Sequence, residues 1–157
     1  INQYDLIDHR HYYLSIATDN INKRQSERIV NWVKQILPER GHVGVLGMAF
    51  KSGTNSTEES QGLKIAEEIA RKGILTRIYD PLKPENLDEI LKDTPNIKWG
   101  FAVQNLLNHS DVVVIVNSCK EFQNLGPLDF KENSKVIDCW RILDASKFKN
   151  QKRTEYQ

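Results

Sequence analysis

The chain has 157 residues, enough for one globular domain with a sizeable core. It carries 22 Lys and Arg against 21 Asp and Glu, and this balance gives no support for a nucleic-acid or membrane-surface partner. No stretch approaches the ~18 consecutive apolar residues of a membrane span, and the N-terminus has neither a signal-peptide pattern nor an initiator Met. Because the initiator Met is missing, we expect a fragment. The two cysteines form no CxxC pair, so a reducing compartment, the cytoplasm, is expected.

A helix is predicted near the N-terminus, before the first strand. Residues 1–17 mix polar and aromatic side chains without a clean period. From there to Leu37, apolar residues recur at helical spacing. Candidate capping and helix-ending residues flank this stretch: Thr18, Asp19, Asn20, Pro38 and Gly41. A domain boundary is therefore predicted at 38–41, and the helix before it is expected to join the following α/β unit to something upstream.

Predicted strands and helices alternate along the rest of the chain. The predicted strands are 43–47, 75–79, 97–99, 111–117 and, as the last one, 136–138. The predicted helices are 60–72, 101–108 and a short one that starts with Pro84 as its first residue. The interior of the 111–117 run is apolar and β-branched, which is typical of a central parallel strand covered on both faces. This order predicts an α/β fold with a doubly wound, Rossmann-like parallel sheet preceded by a long helix.

The most informative segment is the loop after the first predicted strand. Gly47 ends that strand, and a polar loop with Lys51 leads to the helix that opens at Ser60. Ligands of open α/β sheets bind beyond the carboxyl ends of the strands, and a lysine beside helix N-terminal amides suits a phosphate. Arg141 follows the last predicted strand, so it is expected to face the same crevice. Phe50 is expected either to lie in the core or to pack on the ligand. The segment predicts a phosphate-bearing ligand.

Other candidate residues carry two interpretations each. Asp80 is either a ribose-binding acid or a turn former, and the turn is favoured because the G-x-G-x-x-G dinucleotide fingerprint is absent. Trp140 either stacks on a base or covers the sheet edge, with the second slightly favoured. Cys119 is not favoured as a nucleophile, because a thiol needs a base or a cation beside it. His9 and His11 lie near two Asp residues, but their loose spacing favours an incidental cluster, so no metal site is predicted.

The residues of the first loop also carry a family resemblance. The run 44–54, followed by Glu59 and Ser60, resembles the start of the C-terminal, nucleotide-sugar-binding domain of the UDP-glucose/GDP-mannose dehydrogenase family. Further matches follow in the family's order: Tyr79-Asp80-Pro81, the segment 110–117, Glu121-Phe122, and Val136-Ile137-Asp138 with Arg141. The helix that ends near Leu37 is similar to the end of the family's central dimerisation domain. The resemblance covers roughly 20–145, and the order and spacing of its motifs make it specific.

The resemblance implies a role within a larger enzyme. It implies that 1–40 is the end of the central helical domain, and that 41–157 is the C-terminal domain. Family members oxidise the C6 alcohol of a nucleotide sugar to a carboxylate with NAD, for polysaccharide biosynthesis, and a cysteine in a glycine-rich motif forms the covalent intermediates. That motif is absent here. The resemblance therefore implies a fragment that is inactive alone, without catalytic or NAD-binding residues, whose full-length enzyme is a homodimer and binds NAD mainly through another domain.

The resemblance also assigns substrate contacts and reveals departures. Phe50, Lys51 and Arg141 match family residues that bind the nucleotide sugar, although Arg141 lies one residue later than the family spacing. An Arg that reaches NAD in the family is Glu58 here, and a carboxylate repels a pyrophosphate. The family's Asp-Asp turn is Asn55-Ser56. These departures favour an alternative, a non-catalytic nucleotide-sugar-binding or regulatory module. A stand-alone NAD-binding domain is disfavoured by the missing fingerprint, and the base of the nucleotide sugar is left open.

Overall fold

A computed structural model describes residues 3–149 and 155–156 of the chain. It opens with one long helix, α1, over Gln3–Ile36. The predicted end of this helix is confirmed, since α1 ends at Ile36, two residues before Pro38. The predicted caps at Thr18, Asp19 and Asn20 are wrong, since the helix passes through them.

The reason for this error is the surroundings of α1. The side chains described between Ile16 and Gln25 are all exposed, and α1 becomes buried only from Ser26 onward, at Val30 and Val33. A helix without a packed face needs no apolar stripe, so the periodicity that marks a helix in a sequence is missing there. Cap-forming residues are only mildly unfavourable inside a helix, by up to about 0.7 kcal/mol each.

The sheet has six parallel strands in the order β3-β2-β1-β4-β5-β6. The strands are β1 Val43–Leu46, β2 Thr76–Tyr79, β3 Ile97–Trp99, β4 Val112–Ile115, β5 Lys135–Asp138 and β6 Glu155–Tyr156. The predicted doubly wound α/β fold with a preceding long helix is confirmed. The prediction that the strand at 136–138 is the last one is wrong, because β6 pairs with β5. Two residues are too short a run to show the alternation that identifies a strand.

Helices connect the strands on both faces of the sheet. They are α2 Gln61–Arg71, α3 Leu87–Asp93, α4 Val103–Asn108, α5 Lys120–Gln123 and α6 Ala145–Lys149, with a 3₁₀ turn at Pro127–Asp129. The predicted start of a helix at Pro84 is wrong, since α3 begins at Leu87 after a turn in which the Leu87 amide donates to the Pro84 carbonyl oxygen. The shortest helices were not predicted, because four or five residues do not complete two turns of periodicity.

The core lies in two layers, one on each face of the sheet. Val112 and Val114 of β4 face the layer formed with α1, α2 and α3, and Val113 and Ile115 face the layer under α4 and α5. All four side chains are fully buried. The central position and double coverage predicted for this strand are therefore confirmed. Burial of each such side chain contributes about 1.5–3 kcal/mol to stability.

Candidate functional site at the carboxyl ends of β1, β4 and β5

The strand order reverses between β1 and β4, whose carboxyl ends lie side by side with Leu46 opposite Ile115. Connections leave this point toward opposite sides of the sheet, so a crevice opens there, and ligands of such sheets bind in it. A groove of about 770 Å³ occupies this position. Its walls come from α1, the β1–α2 loop, the start of α2 and the ends of β4 and β5.

A buried carboxylate holds the loop that leaves β1. Asp80, at the end of β2, is 5 % exposed. Its Oδ2 accepts hydrogen bonds from the backbone amides of Met48 and Ala49, at 2.9 and 3.1 Å, and from Asn117 Nδ2 at 3.5 Å. Its Oδ1 accepts the Leu82 amide at 3.2 Å, which confirms the turn interpretation. Asp80 thus organises the loop from beneath with both oxygens engaged inside the protein.

Two glycines allow this loop to approach its neighbours closely. Gly47 has φ +101°, and a Cβ on it would lie 2.6 Å from the side-chain Cγ of Asn117. A Cβ on Gly62 of α2 would lie 1.9 Å from the carbonyl oxygen of Gly47. The start of α2 therefore packs directly on the end of β1, with Ser60 as N-cap accepting the Leu63 amide at 3.1 Å. Sequence reasoning missed Gly62, although a glycine inside a helical pattern is itself a signal of close packing.

A second carboxylate holds the loop that leaves β5. Asp138 is 6 % exposed; its Oδ1 accepts the Trp140 amide at 3.1 Å, and its Oδ2 accepts the Leu143 amide at 2.9 Å. Arg141 has φ +53°, a left-handed conformation that costs a non-glycine residue about 1–2 kcal/mol. The loop is therefore a tight, internally bonded turn. Its anchoring by Asp138 was not predicted, because the sequence pattern identified that residue only as the end of a strand.

The three predicted substrate-binding residues lie at this edge of the sheet. Phe50 lines the groove and is 62 % exposed, so the interpretation of Phe50 as a core residue is wrong. Lys51 follows it and is exposed, and its ammonium group forms no salt bridge with any described residue. Arg141 is exposed on the β5 loop, next to the groove-lining Trp140. One edge of the sheet thus carries an exposed aromatic ring and two exposed cations, and cations of this kind suit phosphate groups.

Comparison with known proteins identifies this architecture. The model of the UDP-glucose/GDP-mannose dehydrogenase family, UDP binding domain, matches residues 44–145, which is more than half of the chain. The chain belongs to this family. It corresponds to the family's C-terminal, UDP binding domain, in agreement with the resemblance found in the loop motifs.

Individual relatives place the chain within longer proteins. The UDP-glucose 6-dehydrogenase of Rickettsia felis is 25% identical over 92% of this chain and 34% of its own length. The UDP-glucose 6-dehydrogenase AglM of Haloferax volcanii is 28% identical over 81% of this chain and 29% of its own length. A structure of the UDP-N-acetyl-mannosamine dehydrogenase Cap5O from S. aureus, with a TM-score of 0.70 and 19% identity, covers 99% of this chain and 36% of that protein. The chain therefore spans about a third of the length of these family members.

A second, smaller pocket beside the β1–α2 loop is acidic. Glu58 stands on the β1–α2 loop beside this pocket of about 400 Å³, together with Glu85 and the Asn55-Ser56 pair. Asn55 Nδ2 donates to Glu85 Oε1 at 2.9 Å. Glu58 stands at the position where the family resemblance expects an arginine, and Glu85 adds a second carboxylate to the same pocket. Their charge opposes binding of a pyrophosphate in this pocket.

Two titratable groups at this edge of the sheet, Cys139 and Tyr79, have raised pKa values. Cys139 is an exposed residue, but desolvation of its thiol and the adjacent Asp138 carboxylate raise its pKa to about 11. Burial and the hydrogen bond to Glu121, at 3.0 Å, raise the pKa of Tyr79 to about 12. Cys119 is half-buried and packs against the second core layer. The Cys139 thiol and the Tyr79 hydroxyl therefore stay protonated at neutral pH.

The described side chains contain no group of three or more His, Cys, Asp and Glu residues able to hold a metal ion. The side chains of His9 and His11 lie outside the described part of the chain, so the interpretation of that cluster stays a prediction. Within the described residues, none of the helices has the length and apolar character that crossing a membrane requires.

Proposed function

We propose that this chain is the nucleotide-sugar-binding domain of an NAD-dependent nucleotide-sugar 6-dehydrogenase, which oxidises the sugar C6 alcohol to a carboxylate. The observation that carries the proposal is the groove beside the β1–β4 switch point, which Phe50 lines. Lys51 is the next residue of the same exposed loop. The family's UDP binding domain matches this part of the chain. Lys51, Phe50 and Arg141 are the proposed substrate-binding residues.

Charge and exposure support this assignment of roles. A nucleotide diphosphate carries negative charge on its phosphates and an apolar face on its base. Lys51 is an exposed cation without a salt-bridge partner among the described residues, so no ion pair has to break before it meets a phosphate. Arg141 offers a planar donor set on the neighbouring loop, which suits bidentate phosphate or hydroxyl contacts. Phe50 offers its exposed ring to the base or the sugar.

The remaining functions of the enzyme are assigned to parts outside this domain. We propose that residues 1–40 close a central helical domain that forms the homodimer of the full-length enzyme, and that 41–157 grips the nucleotide sugar. NAD and the nucleophilic cysteine belong to other domains, so this chain alone is inactive. The family's UDP binding domain and the UDP-glucose 6-dehydrogenases among the relatives favour a UDP-sugar, and cytoplasmic polysaccharide biosynthesis is the proposed setting.

One observation favours a second function. Glu58 and Glu85 make the pocket beside the β1–α2 loop acidic, where the family resemblance expects a cation that reaches NAD. A module that binds a nucleotide sugar without oxidising it would keep the groove and lose that cation. NADH formation from the bound sugar by the complete protein that carries this chain supports the dehydrogenase, whereas binding without NADH formation supports the module.

A parallel calorimetric titration tests the proposed ligand. The chain is titrated with UDP-glucose, GDP-mannose, a UDP-N-acetylated sugar and NAD. We expect one nucleotide sugar to bind, and Lys51→Ala to weaken its binding by about 1–3 kcal/mol, the cost of one charge-assisted contact. Lys92→Ala is the matched control, because Lys92 is an exposed lysine on α3. Equal affinities of the Lys51 and Lys92 variants would remove Lys51 from the site, and binding of NAD alone would contradict the proposal.

A further inference from the structure

We propose that Trp140 is a base-stacking residue of the groove and, together with Phe50, forms an aromatic clamp for the planar base of the nucleotide. The inference rests on the proposed function and deepens it, because it names which part of the ligand the β5 loop holds. Sequence reasoning slightly favoured Trp140 as a cover for the sheet edge.

The indole of Trp140 is exposed but held in one position. It is 59 % exposed, which leaves a large apolar area of the indole in contact with water. Its Nε1 donates to the Val116 carbonyl oxygen at 2.7 Å, and its backbone amide donates to Asp138 Oδ1 at 3.1 Å. The first bond satisfies the one polar atom of the ring at its edge and leaves an apolar face free. A ring fixed in this way loses little entropy when a ligand stacks on it.

The second aromatic ring comes from the other side of the switch point. Phe50 lies on the loop after β1 and Trp140 on the loop after β5, and both line the same groove. The single strand between them is β4, so the strands that carry the two loops lie about 10 Å apart, two strand spacings. Stacked aromatic rings have centroids about 4.5–7 Å apart. A planar ring held between two aromatic side chains needs two such stacking distances. The separation of the two strands is therefore of the right size for one planar ring between Phe50 and Trp140.

The polar groups around the groove suit the rest of a nucleotide. Asn22 and Gln25 of α1 line it with exposed amide side chains, which offer both donors and acceptors to the edge of a base. Lys51, next to Phe50 in the chain, is available for the phosphates. A nucleobase uses both the aromatic faces and the amides, because its flat ring stacks and its edge carries hydrogen-bond donors and acceptors.

Fluorescence of Trp140 tests the stacking directly. The chain has three tryptophans, and Trp32→Phe with Trp99→Phe leaves Trp140 as the single reporter. We expect UMP or GMP to shift its emission and to protect it from acrylamide quenching, with inner-filter absorption corrected. Ribose 5-phosphate, which has no base, should do neither. A base-containing ligand that binds by calorimetry without protecting Trp140 would overturn the clamp and leave the proposed function standing.

Affinities of variants provide the second test. Trp140→Ala should weaken nucleotide binding by about 5- to 150-fold, as expected for the loss of one base–aromatic stack, and leave ribose 5-phosphate binding unchanged. Trp140→Phe should recover most of the affinity, because it restores a ring. Phe101→Ala is the control, since Phe101 is an aromatic residue 90 % exposed elsewhere on the surface. Thermal melting verifies that each variant is folded.

The outcomes separate the two proposals. Unchanged nucleotide affinity in Trp140→Ala, or equal losses for nucleotide and ribose 5-phosphate, would overturn the role of Trp140 and keep Lys51 as a phosphate contact. Absence of binding by every nucleotide and nucleotide sugar to the unaltered chain would overturn the proposed function and the clamp together.

Discussion

The two ends of the parallel sheet use their charged residues in opposite ways. At the amino end, Asp111 accepts the His42 amide at 2.8 Å and forms a salt bridge with Lys131. At the carboxyl end, the buried carboxylates of Asp80 and Asp138 accept backbone amides of the loops around them, while the cation of Lys51 has no salt-bridge partner among the described residues. The charged groups at the amino end are paired with each other, whereas the carboxyl end presents a cation that can bind an anionic ligand. The contrast separates structural charge from binding charge on one sheet.

Breaking the close packing at the carboxyl end should have the largest effect. Gly62→Ala adds a Cβ that would meet the Gly47 carbonyl oxygen at 1.9 Å, so α2 must move away from β1. We expect a loss of about 2–3 kcal/mol of unfolding free energy despite the better helix propensity of alanine, together with loss of ligand binding. Gly126→Ala is the matched control, because its added Cβ lies 3.8 Å from Asp129 Oδ2. Denaturant unfolding measures both, and equal stability of the two variants would contradict the prediction.

Removal of the carboxylate beneath the β1 loop should come next. Asp80→Ala leaves the amides of Met48 and Ala49 without their acceptor. A hydrogen bond to a charged group contributes about 1.5–3 kcal/mol, so we expect a loss of about 2 kcal/mol in stability and a larger loss in ligand affinity. Asp88→Ala on the exposed face of α3 is the control. A variant that keeps full affinity would show that the loop does not need this anchor.

The smallest effect is expected at the amino end, and it depends on pH. Burial acts to raise the pKa of Asp111, but the hydrogen bonds from Lys131 and the His42 amide outweigh it and lower the pKa below its ordinary 3.8. A lowered folded pKa stabilises the protein above the unfolded pKa, and this stabilisation is lost as pH falls through the folded value. Asp111→Asn should therefore cost about 1 kcal/mol or less at pH 7, since Lys131 is 43% exposed and screened.

Acid titration of stability measures this effect. The difference in unfolding free energy between the unaltered chain and Asp111→Asn should shrink below about pH 4. Ligand affinity should not change at pH 7, because Asp111 lies at the opposite end of the sheet from the groove. A change in ligand affinity would contradict the conclusion that the charges at the amino end have only a structural role. A difference that grows in acid would contradict the sign of the pKa shift.

Features that neighbouring residues signal clearly were predicted correctly from the sequence, and features that lack such a local signal were not. β4 was predicted within two residues of its bounds because five successive apolar, β-branched residues carry the signal locally. The start of α1 was wrong because its exposed turns carry no such signal. At the site, the loop of Phe50 and Lys51 could be located from the strand before it. The exposure of Phe50 could not be predicted, because an apolar residue after a strand can lie either in the core or on the surface.

By itself, the sequence determined the α/β class, the family and the loops on which the candidate site stands, since periodicity and short motifs are properties of neighbouring residues. The tertiary structure alone decided how those loops are held and what they expose. Asp80 reaches the Met48 amide across 32 residues of chain, and Trp140 reaches the Val116 carbonyl across 24. Such contacts depend on the order β2-β1-β4-β5, which brings distant strand ends together. Strand order is a result of packing, and no single segment of the sequence contains it.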